Sequence, residues 1–133
     1  MTTMIRASGL APPHQIEFSS GPHAALADVP ADKGGRGQGF GPDALLEAAL
    51  ATCLCMTARM YADKHRLPLT GVRCMVRIDR GTPGEAALHY SLEFDGGPSA
   101  DQTRRLLAAA GDCPVARTLT GKLAVRRAAP STE

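Results

Sequence analysis

Residues 41–63 read GPDALLEAALATCLCMTARMYAD, and this stretch predicts one long helix around which the chain is organised. Pro42 suits the first turn, where its missing N–H is not needed, and Asp43 places negative charge near the positive end of the helix dipole. One face is formed by residues spaced three or four apart: Leu46, Leu50, Cys53, Thr57 and Met60. Because most of the remaining helix surface is apolar too, we expect a central helix covered on several sides by sheets or by a partner subunit.

Length and composition indicate one soluble globular domain spanning residues 1–133, with a disordered tail at 126–133. Apolar residues make up 44% of the chain and charged residues 21%, whereas aromatic residues make up only 4%. The net charge of +2 is too small to favour nucleic acid or an anionic membrane as a partner. With so few aromatic side chains for base stacking, single-stranded nucleic acid is disfavoured as well.

Targeting signals and cysteine usage favour the cytoplasm. Residues 1–18 contain an early Arg but no continuous apolar segment, so no signal peptide is expected. No apolar run is expected to be long enough to cross a bilayer. Structural disulfides are rare in the cytoplasm, and the four cysteines, at positions 53, 55, 74 and 113, form no Cys-x-x-Cys pair. We therefore expect neither a metal site nor a cofactor.

The rest of the chain predicts a mixed α and β architecture. A short extended piece begins at Ile5 and is interrupted at Ala11-Pro12-Pro13. Period-two alternation predicts strands at 14–18, 23–29, 69–80 and 87–94, with a Gly-rich loop at 30–41. Ser99 and Gln102 match a capping box that begins a second helix, and Asp112 is expected to cap a third helix that ends at Gly121. Residues 123–125 are expected to form an edge strand.

The four cysteines divide into two kinds on local sequence. Cys53 and Cys55 cannot pair with each other, because residues two apart on a helix point in different directions. Cys55 and Cys74 fit the role of small buried apolar residues. Cys113 stands at a helix N-terminus, where free N–H groups lower the pKa of a thiol, although Asp112 opposes that effect. For Cys53, a structural role and a reactive role both remain open, since a reactive thiolate needs positive charge from elsewhere in the fold.

Two segments together resemble the OsmC/Ohr family, the osmotically inducible and organic hydroperoxide resistance proteins. The first runs from Gly34-Gly35 through the long helix, with AALATC at 48–53, to the LPL exit at 67–69. The second contains Cys113-Pro114-Val115 and Thr118-Leu119. The resemblance covers about residues 14–125. It implies an α+β fold that forms an intertwined homodimer, in which two central long helices are wrapped by antiparallel β-sheets and the active sites lie at the dimer interface.

The resemblance also implies an activity, a thiol-dependent peroxidase that reduces organic hydroperoxides to alcohols in oxidative stress defence. Cys53 would be the peroxidatic cysteine and Cys113 the resolving cysteine, and an external dithiol or a lipoylated protein would reopen their disulfide. Asp43 stands where peroxidase members carry a Glu. The family's Arg is missing from the stretch Ala11–His14, and Arg36 is the candidate to replace it.

The missing Arg supports an alternative, an OsmC-like dimer that binds a small ligand or senses redox state without useful peroxidase activity. A third interpretation, a purely structural dimer, explains neither cysteine.

Overall fold

The computed structural model describes residues 3–10 and 14–130, so the predicted interruption at Ala11-Pro12-Pro13 and the end of the predicted tail lie outside the described residues. The strands are β1 (Arg6–Leu10), β2 (Gln15–Ser20), β3 (His23–Ala27), β4 (Gly71–Asp79) and β5 (Ala87–Asp95). The α-helices are α1 (Pro42–His65), α2 (Ala100–Gly111) and α3 (Pro114–Thr120). A 3-10 helix at Ala31–Lys33 lies inside the segment predicted as a loop. The predicted α+β fold is confirmed.

The described residues form two compact units, one containing the residues up to Ala48 together with Ile78–Leu88, the other containing Ala49–Arg77 and the chain from His89 onward. The first unit holds a three-stranded antiparallel sheet in the order β1-β2-β3. Its hairpin register pairs Ile16 with Ala27 and Ser20 with His23, which confirms the predicted hairpin. The alternating sequence of β2 gives that strand two different faces.

A buried carboxylate fixes the loop that leads to α1. Asp28 is 3% exposed, and its Oδ1 accepts a hydrogen bond from the N–H of Val29 at 2.8 Å. Its Oδ2 accepts bonds from the N–H groups of Arg36 at 3.1 Å and Gln38 at 3.3 Å, and from the Gln15 amide at 3.4 Å. Burial raises the pKa of Asp28, but these four hydrogen bonds outweigh that effect and hold the pKa below its ordinary value. The Gly-rich segment is therefore an ordered loop.

Glycine is required at one point of this loop. A Cβ placed on Gly35 would overlap the carbonyl oxygen of Val29, so no other residue fits without moving the backbone. The same close approach brings the N–H of the next residue, Arg36, to the carboxylate of Asp28.

Helix α1 has the predicted position and length, but the chain itself covers only one of its faces. The buried residues recur four apart, at Leu50, Leu54, Ala58 and Ala62. Met56 is 63% exposed and Met60 is 68% exposed. Among the described residues, complete burial is thus confined to one face of α1, and cover of its other side by a partner subunit stays a prediction.

Helix α1 also changes the expectation about membranes. By length and composition it is long and apolar enough to cross a bilayer, and 17% of its most apolar window is buried inside the chain. The expectation that no run reaches this length was wrong, because the window contains only scattered charges among Ala, Leu, Met and Cys. A core helix of a soluble protein passes the same test, so this finding alone assigns no membrane role.

The second unit has a small core built from α1, α2 and the segment between α1 and β4. Ala62, Leu69 and Leu106 are buried together, and Tyr61 and Phe94 are among the residues packed against them. Strands β4 and β5 pair as a hairpin, as predicted. Helix α2 begins with the predicted capping box, in which Ser99 and Gln102 each accept a hydrogen bond from the other's backbone N–H.

Two predictions for the C-terminal region were wrong. The N-cap of α3 is Cys113, not Asp112; Asp112 instead ends α2. Residues 123–125 form no strand, and the described residues from 122 to 130 contain neither helix nor strand. Val125 is 97% exposed, so it has no neighbouring strand against which an apolar face could be buried.

Candidate functional site

Cys53 and Cys113 both lie in the second unit, although they come from distant parts of the chain. Cys53 is half-buried in the middle of α1, and Cys113 is fully buried at the start of α3. Cys53 lines a cavity whose wall also includes Asp112 and Pro114, the residues on either side of Cys113, and all four cysteines of the chain are free. The structure therefore places the two cysteines of the family resemblance in the same region of the second unit, and their redox roles stay a prediction.

The surroundings of Cys113 raise the pKa of its thiol. Burial is the largest cause, and the neighbouring Cys53 raises the pKa further. The backbone N–H groups of Ala116 and Val115, in the first turn of α3, lower it in part, although the side chain makes no regular capping hydrogen bond. The expected lowering by the helix N-terminus is present, but burial outweighs it, so Cys113 is held mainly as the neutral thiol.

Cys53 opens onto a cavity of about 740 Å³ between α1, the end of α2 and the start of α3. Its lining is mostly apolar and includes Ala49, Met56, Met60, Ala109, Pro114 and Val115. A cavity of this size accommodates a small organic molecule. The apolar side chains favour lipophilic molecules, since each contact removes hydrocarbon surface from water.

A guanidinium lines the same cavity. Arg117 lies one turn into α3, and its Nη2 donates to the Asp112 carboxylate at 3.0 Å while its Nε donates to the Asp112 carbonyl oxygen at 3.0 Å. The side chains of Arg117 and Asp112 are both about two-thirds exposed. Sequence reasoning missed Arg117, although its position four residues after Cys113 places it near the cysteine at the start of the helix.

Asp43 belongs to the first unit and has an arginine partner there. Arg80 donates to both carboxylate oxygens of Asp43, at 2.5 and 2.9 Å. This bidentate bond is the largest cause that holds the pKa of Asp43 below its ordinary value. Near it, the Oε2 of Glu47 accepts a hydrogen bond from the N–H of Ile78 at 3.1 Å. Arg80 was not predicted, because no local pattern connects residues 37 positions apart.

Arg36, the predicted replacement for the family's arginine, lies in the loop of the first unit. Its backbone N–H donates to Asp28, and the residue is exposed. Its proposed role at Cys53 remains a prediction. Within residues 3–10 and 14–130, no group of three or more His, Cys, Asp or Glu side chains could hold a metal ion.

Comparison with known proteins identifies the family of this chain. The sequence profile described as OsmC-like protein matches residues 35–126, which is most of the chain and includes both Cys53 and Cys113. The chain belongs to the OsmC-like family. No curated protein sequence matches this OsmC-like protein.

Solved structures share its fold. The organic hydroperoxide resistance protein OsmC of Legionella pneumophila is 23% identical and has a TM-score of 0.67, with 92% of each chain covered. The OsmC like protein of Mycoplasma pneumoniae is 22% identical, with a TM-score of 0.73, and 91% of this chain and 89% of that chain are covered. The organic hydroperoxide resistance protein OhrB of Bacillus subtilis is 18% identical, with a TM-score of 0.64, and 92% and 93% are covered. At these identities the likeness shows the OsmC/Ohr fold.

Proposed function

We propose that this OsmC-like protein is a thiol-dependent peroxidase that reduces organic hydroperoxides to alcohols. The observation that carries the proposal is that Cys53 lines an apolar cavity whose wall also includes Asp112 and Pro114, the residues on either side of the buried Cys113. A peroxidase of this type needs one thiol that a substrate can reach and a second thiol within bonding reach of the first. Cys53 lines the cavity and Cys113 is buried behind it, so the two positions fit these two roles.

The chemistry follows from the positions of the two sulfurs. The thiolate of Cys53 attacks the terminal oxygen of the hydroperoxide, the O–O bond breaks, and the alkoxide leaves and takes up a proton as the alcohol. Cys53 is thereby oxidised to a sulfenic acid. The sulfur of Cys113 then attacks the sulfur of Cys53, water leaves, and a disulfide forms. An external dithiol, such as a lipoyl group on a partner protein, reduces this disulfide by thiol–disulfide exchange and restores both thiols.

The lining of the cavity selects the substrate class in this proposal. Met56, Met60 and Val115 offer hydrocarbon and thioether contacts to an alkyl or aryl group. Hydrogen peroxide gains nothing from such contacts, because it has no apolar surface to bury. Arg117 is the cation of the cavity, and Asp112 fixes its position.

A homodimer is part of the proposal. The uncovered face of α1 carries Met56 and Met60, both more than three-fifths exposed, and an apolar surface of this kind marks an interaction site. A second copy of the same helix would supply a complementary apolar face. The four free cysteines favour a reducing compartment, and we propose a cytoplasmic location. Light scattering of the purified protein tests the dimer, and a monomer at micromolar concentration would contradict it.

A peroxidase assay tests the activity. We expect the wild type to consume cumene hydroperoxide in the presence of dihydrolipoamide and to consume hydrogen peroxide more slowly. Cys53→Ser should remove the activity, whereas Cys113→Ser should form the Cys53 sulfenic acid without closing a disulfide. Lys122→Ser, at an exposed position beyond α3, serves as the matched control and should retain the wild-type rate. Equal rates for the wild type and Cys53→Ser would refute the peroxidase.

The alternative, a ligand-binding or redox-sensing dimer, has an observation in its favour. The carboxylate of Asp112 forms an ion pair with Arg117 and offsets its positive charge. Burial raises the pKa of Cys113 and so favours the less reactive thiol over the thiolate. Both effects lower the rate of a thiolate reaction. Tight binding of a lipophilic fluorescent probe in the cavity, together with no hydroperoxide turnover, would establish this function. Turnover that depends on Cys53 would exclude it.

A further inference from the structure

The junction between α2 and α3 consists of Asp112 and Cys113. The N–H of Asp112 donates to the carbonyl oxygen of Ala109 at 3.3 Å, and the N–H of Cys113 donates to that of Ala110 at 3.0 Å. Cys113 is the N-cap of α3, and its side chain makes no capping hydrogen bond. The position of the Cys113 sulfur therefore depends on how α3 is held against the end of α2.

Helix α3 has little packing of its own. It contains seven residues, and a free helix of that length is unstable in water. None of these seven described residues is buried, whereas Cys113, directly before them, is fully buried. Burial of Cys113 anchors the start of the helix, and polar contacts must therefore contribute to its orientation.

The guanidinium of Arg117 joins α3 to the junction. Its Nε donates to the carbonyl oxygen of Asp112 at 3.0 Å and to the Oδ1 of Asp112 at 3.1 Å, and its Nη2 donates to the Oδ2 at 3.0 Å. These bonds span Cys113, since they connect the residue before it to a residue one helical turn after it. The three bonds are called the Asp112–Arg117 clasp below.

The clasp forms part of the wall of the cavity onto which Cys53 opens. Asp112, Pro114 and Arg117 all line this cavity, so the clasp fixes the segment of wall that carries Cys113. An exposed ion pair contributes little to the stability of a whole protein, and both side chains of the clasp are about two-thirds exposed. Its main effect is therefore local, on the orientation of α3 and of the cysteine before it.

We propose that Asp112 and Arg117 are positioning residues, whose clasp holds Cys113 where its sulfur can reach that of Cys53. The proposal rests on the proposed function in that it requires a disulfide between the two cysteines. When this disulfide forms, both S–H bonds break, one S–S bond forms, and two electrons and two protons pass to an oxidant. Without the clasp, α3 adopts other orientations, so Cys113 is less often in place and the disulfide is less favoured over the dithiol.

An equilibrium with a small dithiol tests the proposal without any peroxide. The full chain with Cys55→Ser and Cys74→Ser keeps Cys53 and Cys113 as its only thiols. This parent protein is equilibrated with mixtures of reduced and oxidised dithiothreitol, in which the oxidised form accepts the two electrons and two protons. The remaining thiols are alkylated, and mass spectrometry gives the fraction of disulfide and hence the equilibrium constant.

Variants of the clasp are compared in this background. Arg117→Ala should lower the equilibrium constant for the disulfide about fivefold, the effect of an exposed ion pair at the upper end of its usual strength. Arg117→Lys, which keeps the charge but lacks the fork of donors, should recover part of that loss. The matched control is Arg104→Ala, which removes a similarly exposed ion pair with Asp101 on α2 and should leave the equilibrium constant unchanged. If Arg117→Ala does not fold, Asp112→Asn should lower the constant in the same direction.

The outcomes separate this inference from the peroxidase. An equal equilibrium constant for the parent and Arg117→Ala, or an equal loss with Arg104→Ala, would overturn the inference and leave the peroxidase intact. A parent that forms no disulfide in oxidised dithiothreitol would overturn both the inference and the resolving step. A disulfide that depends on the clasp, in a protein that consumes no hydroperoxide, would support the inference and refute the peroxidase.

Discussion

Oxidation of the Cys53–Cys113 pair should stabilise the protein by an amount that follows from its position in the chain. The disulfide would close a loop of about 60 residues, and the loss of chain entropy in the unfolded state for a loop of that length corresponds to about 4 kcal/mol. Cys53 and both neighbours of Cys113 line the same cavity, so we expect the bond to form without a large rearrangement of the folded state. At a typical dependence of stability on urea, the unfolding midpoint should rise by about 2 M.

The measurement compares oxidised and reduced samples of one variant. Cys55→Ser with Cys74→Ser removes the other two thiols of the chain, so only Cys53 and Cys113 can form a bond within it. Urea unfolding is followed by circular dichroism at a fixed protein concentration, because association would otherwise shift the midpoint. A further change, Cys53→Ser, should abolish the difference between oxidising and reducing conditions. A rise in stability below about 1 kcal/mol on oxidation would refute the reasoning, since it is well short of the entropy of a loop this long.

The other predictions concern packing and charge. Leu106→Ala removes a fully buried side chain from the core of the second unit and should lower the free energy of unfolding by about 2–5 kcal/mol in urea titrations. Asp28 has a lowered pKa, so its contribution to stability is present above the ordinary pKa of about 3.8 and is lost as the pH falls through the folded-state value. The wild type should therefore lose stability more steeply in acid than Asp28→Asn, and a parallel loss would contradict the assignment. Arg80→Ala should raise the pKa of Asp43 towards its ordinary value, as measured by NMR titration, because the bidentate hydrogen bond is removed; an unchanged pKa would contradict it.

Local patterns predicted the elements of this fold better than they predicted the side-chain contacts. Helix α1 and the capping box at Ser99 were correct because they depend on residues within a few positions of one another. The edge strand at 123–125 was wrong because three apolar residues form a strand only where a neighbouring strand can pair with them, and the described part of the chain provides none there.

The residues of the candidate site were likewise predicted only in part. The pairing of Cys53 with Cys113 came from a resemblance to a family, and in the structure Cys53 and both neighbours of Cys113 line one cavity. The pair of Asp43 with Arg80 has no signal in local sequence. Asp43 lies on α1 and Arg80 just after β4, so their proximity is decided by tertiary packing alone.

The buried Asp28 has a consequence for engineering this protein. Its carboxylate holds backbone amides at Arg36 and Gln38, so a tag or epitope inserted between residues 29 and 38 would pull those amides away from their acceptor. The turn between β4 and β5, at residues 81–84, is exposed throughout, and the amide–carboxylate bond there, from the N–H of Gly81 to the Oδ1 of Asp79, is exposed and not buried. A labelling site is therefore better placed in the turn at 81–84 than in the loop at 29–38, although the glycine content of that loop suggests flexibility.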